Sequence, residues 1–125
     1  MSGLAPKTWK HFVIFERFDV VVVPFPFTDI DAKLRRPAVV LSDPVVFGKD
    51  TGQNLMAMVT RAQRSSWQSD LPIQDSTSAG LAASSLLRLK LFNIENRFII
   101  RKLGQLSEPD IFRLTSLLVS HLGLD

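Results

Sequence analysis

No cysteine occurs among the 125 residues, which excludes disulfides, thiolate metal sites and cysteine nucleophiles together. Histidine is almost as scarce: His11 and His121 stand near opposite ends of the chain, so an imidazole metal site is not expected. Long hydrophobic runs are missing too. The longest, Val20 to Phe27, is interrupted by Pro24 and Pro26 and cannot span a bilayer. Met1 to Lys10 holds no apolar stretch of the secretory kind, and a cytoplasmic location is expected. The strong catalytic signatures G-x-x-x-x-G-K, H-E-x-x-H and G-x-S-x-G are absent, as are internal repeats and low-complexity segments.

What remains is an ordinary globular composition. Hydrophobic residues make up 46% and charged residues 22%, a balance that argues against disorder and for a packed core. The length suits one domain and leaves little room for a second core. Residues 1–17 read as an N-terminal arm and lead-in, and residues 18–125 as the single domain. A net charge of +3, with a pI near 9.7, favours an anionic partner without proving one.

The pattern along the chain is mainly β. Asp19-Val-Val-Val-Val is the β-branched run of a buried strand, and Pro24 and Pro26 require it to end or to reach a sheet edge. Thr28 to Leu34 is polar and reads as an exposed loop. Pro37 biases Arg36 towards an extended backbone, opening a second strand over Ala38 to Ser42. Leu55 to Thr60 is a third strand, and Leu71 to Ile73 a short one. Asp75 to Gly80 is a turn-rich connection. Ser85 to Ile94 alternates most clearly, with Leu87, Leu89 and Leu91 on one face and Arg88 and Lys90 on the other. Asn93 to Arg97 resembles a turn, and Phe98 to Leu103 is a further strand. The period then changes. Ser107 is placed as an N-cap with Asp110 three residues on, Ile111, Leu114, Leu118 and Leu122 recur at helical spacing, and Gly123 is a natural stop. Short strands followed by one amphipathic helix predict a small β-barrel with a packed C-terminal helix.

The cations fall into three groups: Lys33, Arg35 and Arg36; Arg61 and Arg64; Arg88 and Lys90. If their strands are neighbours they line one groove that attracts phosphate; otherwise they are a solvated face, the better reading from composition alone. Arg36 is the most distinctive, because the following proline restricts its backbone and its fork can grip a phosphate with two donors, although an ordinary surface arginine is an equal reading of it. Thr60 offers a hydroxyl at the end of the third strand, although strand propensity alone is the better reading of it. Trp67 could stack on a base, but packing as a core or rim anchor is the better reading. Asp29, Asp31 and Asp43 read as turn formers rather than as bases or metal ligands, and His121 suits the last turn of the helix.

Taken in order, several segments resemble the PemK/MazF family of toxins. They are Asp19 to Asp29, Arg35-Arg36-Pro37-Ala38-Val39-Val40-Leu41-Ser42, Met58-Val59-Thr60, Asp70-Leu71-Pro72-Ile73, Ala79-Gly80-Leu81 with Ser85, Leu89-Lys90-Leu91-Phe92, and Leu103 to Ser107. The resemblance runs from about Phe18 to the C-terminal helix. It implies an SH3-like β-barrel that forms a homodimer, and a metal-independent endoribonuclease that cleaves single-stranded mRNA. It also implies inhibition by a cognate antitoxin, with DNA met only through that antitoxin and no cofactor. Arg36 and Thr60 occupy the positions of the family's catalytic pair. The implied reaction is attack of a 2′-OH on the neighbouring phosphate, giving 2′,3′-cyclic phosphate and 5′-OH ends. Two features depart from the family: Phe18 stands where glycine usually precedes the aspartate, and Asp29 to Leu34 lacks the usual loop glycines. Two other readings of such a barrel stay open, a gyrase-binding toxin like CcdB that cuts nothing, and an inactive relative that binds antitoxin and regulates transcription.

Overall fold

The computed structural model describes residues 14–25, 34–47, 51–64 and 67–124. Among these residues six strands form one antiparallel sheet: β1 (Asp19–Phe25), β2 (Leu34–Val40), β3 (Gln53–Arg61), β4 (Leu71–Pro72), β5 (Ser85–Glu95) and β6 (Arg101–Gln105). Their order across the sheet is β4-β5-β3-β2-β1-β6. The expected barrel is realised as a curled half-barrel whose two edges, β4 and β6, do not pair with each other.

β1 reads as an unbroken valine run because both of its faces are covered. Val20 packs into one apolar cluster while Val21 and Val23 pack into another. The first cluster joins Val39, Ala57, Val59 and Leu87 of the sheet to Leu114 of the C-terminal helix α2 (Glu108–Leu122). The second, on the opposite face, gathers Ala38, Val40, Met56, Ile94 and Ile99. Pro24 is accommodated inside β1 opposite Arg35, and β1 has already lost its β6 partner beyond Val22. A residue with no amide proton costs little where the strand has one neighbour only.

Element bounds differ from the sequence reading in instructive places. β2 starts at Leu34, so Arg35 and Arg36 lie within the strand rather than before it. The connection after β4 contains a one-turn helix, α1 (Ser76–Ala79), in which the Asp75 side chain accepts from the Ser78 amide and which ends at Gly80 with φ 72°. Phe98 belongs to a 3-10 turn rather than to a strand, and β6 begins at Arg101. α2 matches its expected capping: the Ser107 hydroxyl accepts from the Asp110 amide, and Gly123 ends the helix in the left-handed conformation.

Candidate functional site

Strand register decides which cations can meet. β2 and β3 pair as Ala38–Met58, Val39–Ala57 and Val40–Met56. Continuing that register by two residues sets Arg36 opposite Thr60. Pro37 has no amide to extend the ladder, and pairing ends at Ala38–Met58. At this end of the sheet lies a cavity of about 490 Å³. Leu34 to Pro37 line it from β2, Val59 to Arg61 from β3, and Leu81 to Ala83 with Ser85 from the approach to β5. The cavity thus brings together Arg35, Arg36, Thr60 and Arg61 of the residues singled out from sequence.

Arg36 and Thr60 are half-buried, whereas Arg35 and Arg61 are exposed. Among the described residues, none of these three arginines is paired with a carboxylate. The Arg36 guanidinium lies 4.7 Å from the centroid of the Phe25 ring, which limits where its fork can point. Phe25 was not singled out from sequence. Its position two residues past Val23, the register partner of Arg36, was the available signal. The far wall, from Leu81 to Ser85, was also missed as a site element. Small side chains there leave room, and the Ser85 hydroxyl is spent on the Ala83 carbonyl at 2.9 Å.

Arg88 and Lys90 do not line the cavity. Arg88 gives its fork to Asp70, with Nε–Oδ1 at 3.1 Å and Nη2–Oδ2 at 2.8 Å. Those hydrogen bonds push the guanidinium's pKa above its ordinary value, and its charge is compensated within the protein. The expectation that Arg88 offers a free cation to the groove is corrected accordingly. Lys90 is exposed on β5, within the irregularity between the Arg88–Met58 and Leu91–Ala57 pairs. Lys33, Asp29, Asp31 and His11 fall outside the described residues, and so does the side chain of Arg64. Among the described residues no cluster of three or more acidic or histidine side chains could hold a metal ion.

Comparison with known proteins agrees with this architecture. Residues 16–122 match the family described as PemK-like, MazF-like toxin of type II toxin-antitoxin system. A chain of the MazE–MazF complex (Form-II) from Deinococcus radiodurans superposes with a TM-score of 0.67 at 18% identity, over 89% of this chain and 97% of that one. The toxin MazF-mt6 of Mycobacterium tuberculosis gives 0.66 at 16% identity, over 86% and 98%. An endoribonuclease in complex with its cognate antitoxin, from a mycobacterial species, gives 0.66 at 11% identity, over 87% and 93%. A comparison with curated proteins by sequence gives no match. A curled antiparallel half-barrel with one C-terminal helix is the class of fold this chain shares with those structures. The chain belongs to the PemK-like, MazF-like toxin family of type II toxin–antitoxin systems.

Proposed function

We propose that the chain is a metal-independent, sequence-selective endoribonuclease that cleaves single-stranded mRNA in the cytoplasm, as a homodimer held in check by a cognate antitoxin. One observation carries this reading: a single cavity gathers Arg35, Arg36, Thr60 and Arg61, and none of its arginines has a carboxylate partner among the described residues. Three cations around one hydroxyl suit an RNA phosphate with its flanking backbone.

In the proposed reaction the ribose 2′-oxygen forms a bond to the adjacent phosphorus and the bond from phosphorus to the 5′-oxygen breaks. The 2′-OH loses a proton to a base and the departing 5′-oxygen gains one, leaving 2′,3′-cyclic phosphate and 5′-OH ends. Arg36 stabilises the charge that grows on the phosphorane oxygens, and the Thr60 hydroxyl donates a hydrogen bond to one of them. Arg36 as proton donor is the lesser role, because a guanidinium releases its proton reluctantly. Arg35 and Arg61, being exposed, hold the flanking phosphates. Deoxyribose lacks the attacking hydroxyl, so DNA is not a substrate and is met only through the antitoxin. An extended antitoxin segment would occupy the same cavity; the mycobacterial endoribonuclease was solved in complex with its cognate antitoxin, and the Deinococcus MazF with MazE.

The test is digestion of single-stranded RNA in EDTA with analysis of fragment ends. Wild type is expected to yield cyclic phosphate and 5′-OH ends, and Arg36→Ala to cut on the order of a hundredfold more slowly or less while keeping its fold. Undiminished cleavage by the variant would remove Arg36 from its role. Wild type that leaves RNA intact would remove the nuclease reading.

A further inference from the structure

Trp67 is 44% exposed, so it is not the packed anchor that an isolated tryptophan usually provides. The ring is nevertheless held firmly. Its backbone amide donates to Asp70 Oδ2 at 3.3 Å, and the Asp70 amide returns a bond to the Trp67 carbonyl at 3.1 Å. The Asp70 carboxylate, 4% exposed, grips Arg88 through two hydrogen bonds. The Arg88 guanidinium in turn sits 4.9 Å from the centroid of the indole. A buried carboxylate, a compensated arginine and a reciprocal turn thus fix a large aromatic ring that solvent still reaches. Exposing that much apolar area opposes folding, and the fold uses an ion pair to keep it in place rather than to bury it.

Register places the arginine that carries this ring on the same face of the sheet as Arg36 and Thr60. Arg88 pairs directly with Met58, so the two side chains share one face of the sheet. Thr60 follows Met58 by two residues and lies on the same face, and so does Arg36, which precedes Ala38, the other partner of Met58, by two. Arg36, Thr60 and Arg88 therefore stand on one face of three successive strands, with Arg88 one diagonal step from Thr60. Cα atoms at such a diagonal are about 7–8 Å apart, so the residue that supports the indole is rooted within about one nucleotide's reach of Thr60.

We propose that Trp67 is a base-stacking platform for a nucleotide flanking the scissile phosphate, with Arg88 and Asp70 as its support. The proposal rests on the nuclease reading and adds a substrate contact to it. It also gives Arg88 a purpose: the residue counted with the groove cations serves recognition through the ring it carries, not through its own charge. Every base has a π-face, so the platform strengthens binding at its position whatever the base.

The chain has two tryptophans, so Trp9→Phe leaves Trp67 as the sole indole. Cut sites are first mapped on a long RNA, and a short oligonucleotide carrying 2′-deoxyribose at the cut nucleotide serves as an uncleavable probe. Titration of that probe into the Trp9→Phe protein is expected to quench Trp67 emission, with binding followed independently by anisotropy of a labelled copy. In cleavage assays Trp67→Ala is expected to raise KM roughly tenfold or more with kcat nearly kept, and Trp67→Phe to recover most of the loss. Circular dichroism of both variants separates a lost contact from a lost fold; Trp67→Phe keeps the test open should Trp67→Ala misfold. A probe that binds without moving Trp67 emission, or a folded Trp67→Ala with unchanged KM, overturns the proposal and leaves the nuclease standing. Emission that answers to an antitoxin and not to the probe assigns the ring to protein recognition and equally overturns it. Wild type that neither cuts nor binds RNA brings down both readings.

Discussion

Phe18 adopts φ 71°, the only non-glycine residue with positive φ among those described. Its amide donates to the Val40 carbonyl at 2.6 Å and its carbonyl accepts from the Leu106 amide at 3.1 Å. The backbone is thereby tied to β2 on one side and to the start of the α2 cap on the other. Its ring packs on the core beneath α2 and under the Arg17 guanidinium, 4.9 Å from the ring centroid. Left-handed backbone costs a residue with a Cβ about 1–2 kcal/mol, and this packing offsets it. Replacing Phe18 by alanine removes the packing and keeps the strain, whereas glycine removes both. Phe18→Gly is expected to be more stable than Phe18→Ala by about 1 kcal/mol, inverting the usual order of these residues. Urea midpoints of the two variants check it, and equal midpoints would show that the turn relaxes instead. At this scale the sequence was legible in type and not in role. Phe18 stood out because glycine usually occupies its place in the family, but no local pattern reveals φ. Arg88 showed itself as a strand cation, yet its partner Asp70 lies 18 residues away, a separation that alternation cannot register.

At the scale of elements, α1 crosses β6 at a distance set by two glycines. A Cβ on Gly104 would collide with the Ser78 carbonyl oxygen and the Ala79 carbonyl, and one on Gly80 would collide with the Leu103 carbonyl. This contact matters to the site because Leu81 to Ala83, which follow α1 directly, form the far wall of the cavity. Gly104→Ala is expected to lower stability by about 1–3 kcal/mol and to reduce RNA cleavage by displacing that wall. The checks are a denaturant midpoint together with the RNA digest; wild-type values for both would mean that the two elements separate freely. Elements whose signals are local, such as the valine run of β1, the alternation of β5 and the Ser107-to-Gly123 helix, were legible before any coordinates. α1 was not, because four residues carry no helical period and are held by the Asp75 cap and by contact with β6. The start of β2 was also misplaced. Leu34 and Arg35 are exposed and polar in context, and they pair only because β1 runs beside them.

For the molecule as a whole, one buried carboxylate ties the last element to the middle of the chain. Asp110, 1% exposed, accepts the amides of Gln74 at 3.1 Å and Asp75 at 3.0 Å, and is also bonded by Ser107 and Arg113. From sequence it read only as the capping partner of Ser107. Its reach across 35 residues to Asp75 was invisible there, as any long-range contact is to a local pattern. Burial pushes the Asp110 carboxyl up, but the amides of Asp75 and Gln74, with Arg113 and Ser107, outweigh it and hold the group below its ordinary value near 3.8. The sign of the linkage follows. On acidification the unfolded chain takes up this proton before the folded one does, so stability present above the unfolded pKa is lost as pH falls through the folded pKa. Asp110→Asn cannot titrate, and near neutrality it is expected to be less stable by about 2 kcal/mol, the contribution of hydrogen bonds to a charged group. Wild type loses its advantage below about pH 4 whereas the variant has none to lose, so their urea midpoints should converge there. A gap that stays constant through that range would mean that the carboxyl takes up its proton equally in the folded and unfolded states. The link between α2 and the segment leading into α1 would then depend on shape and not on charge.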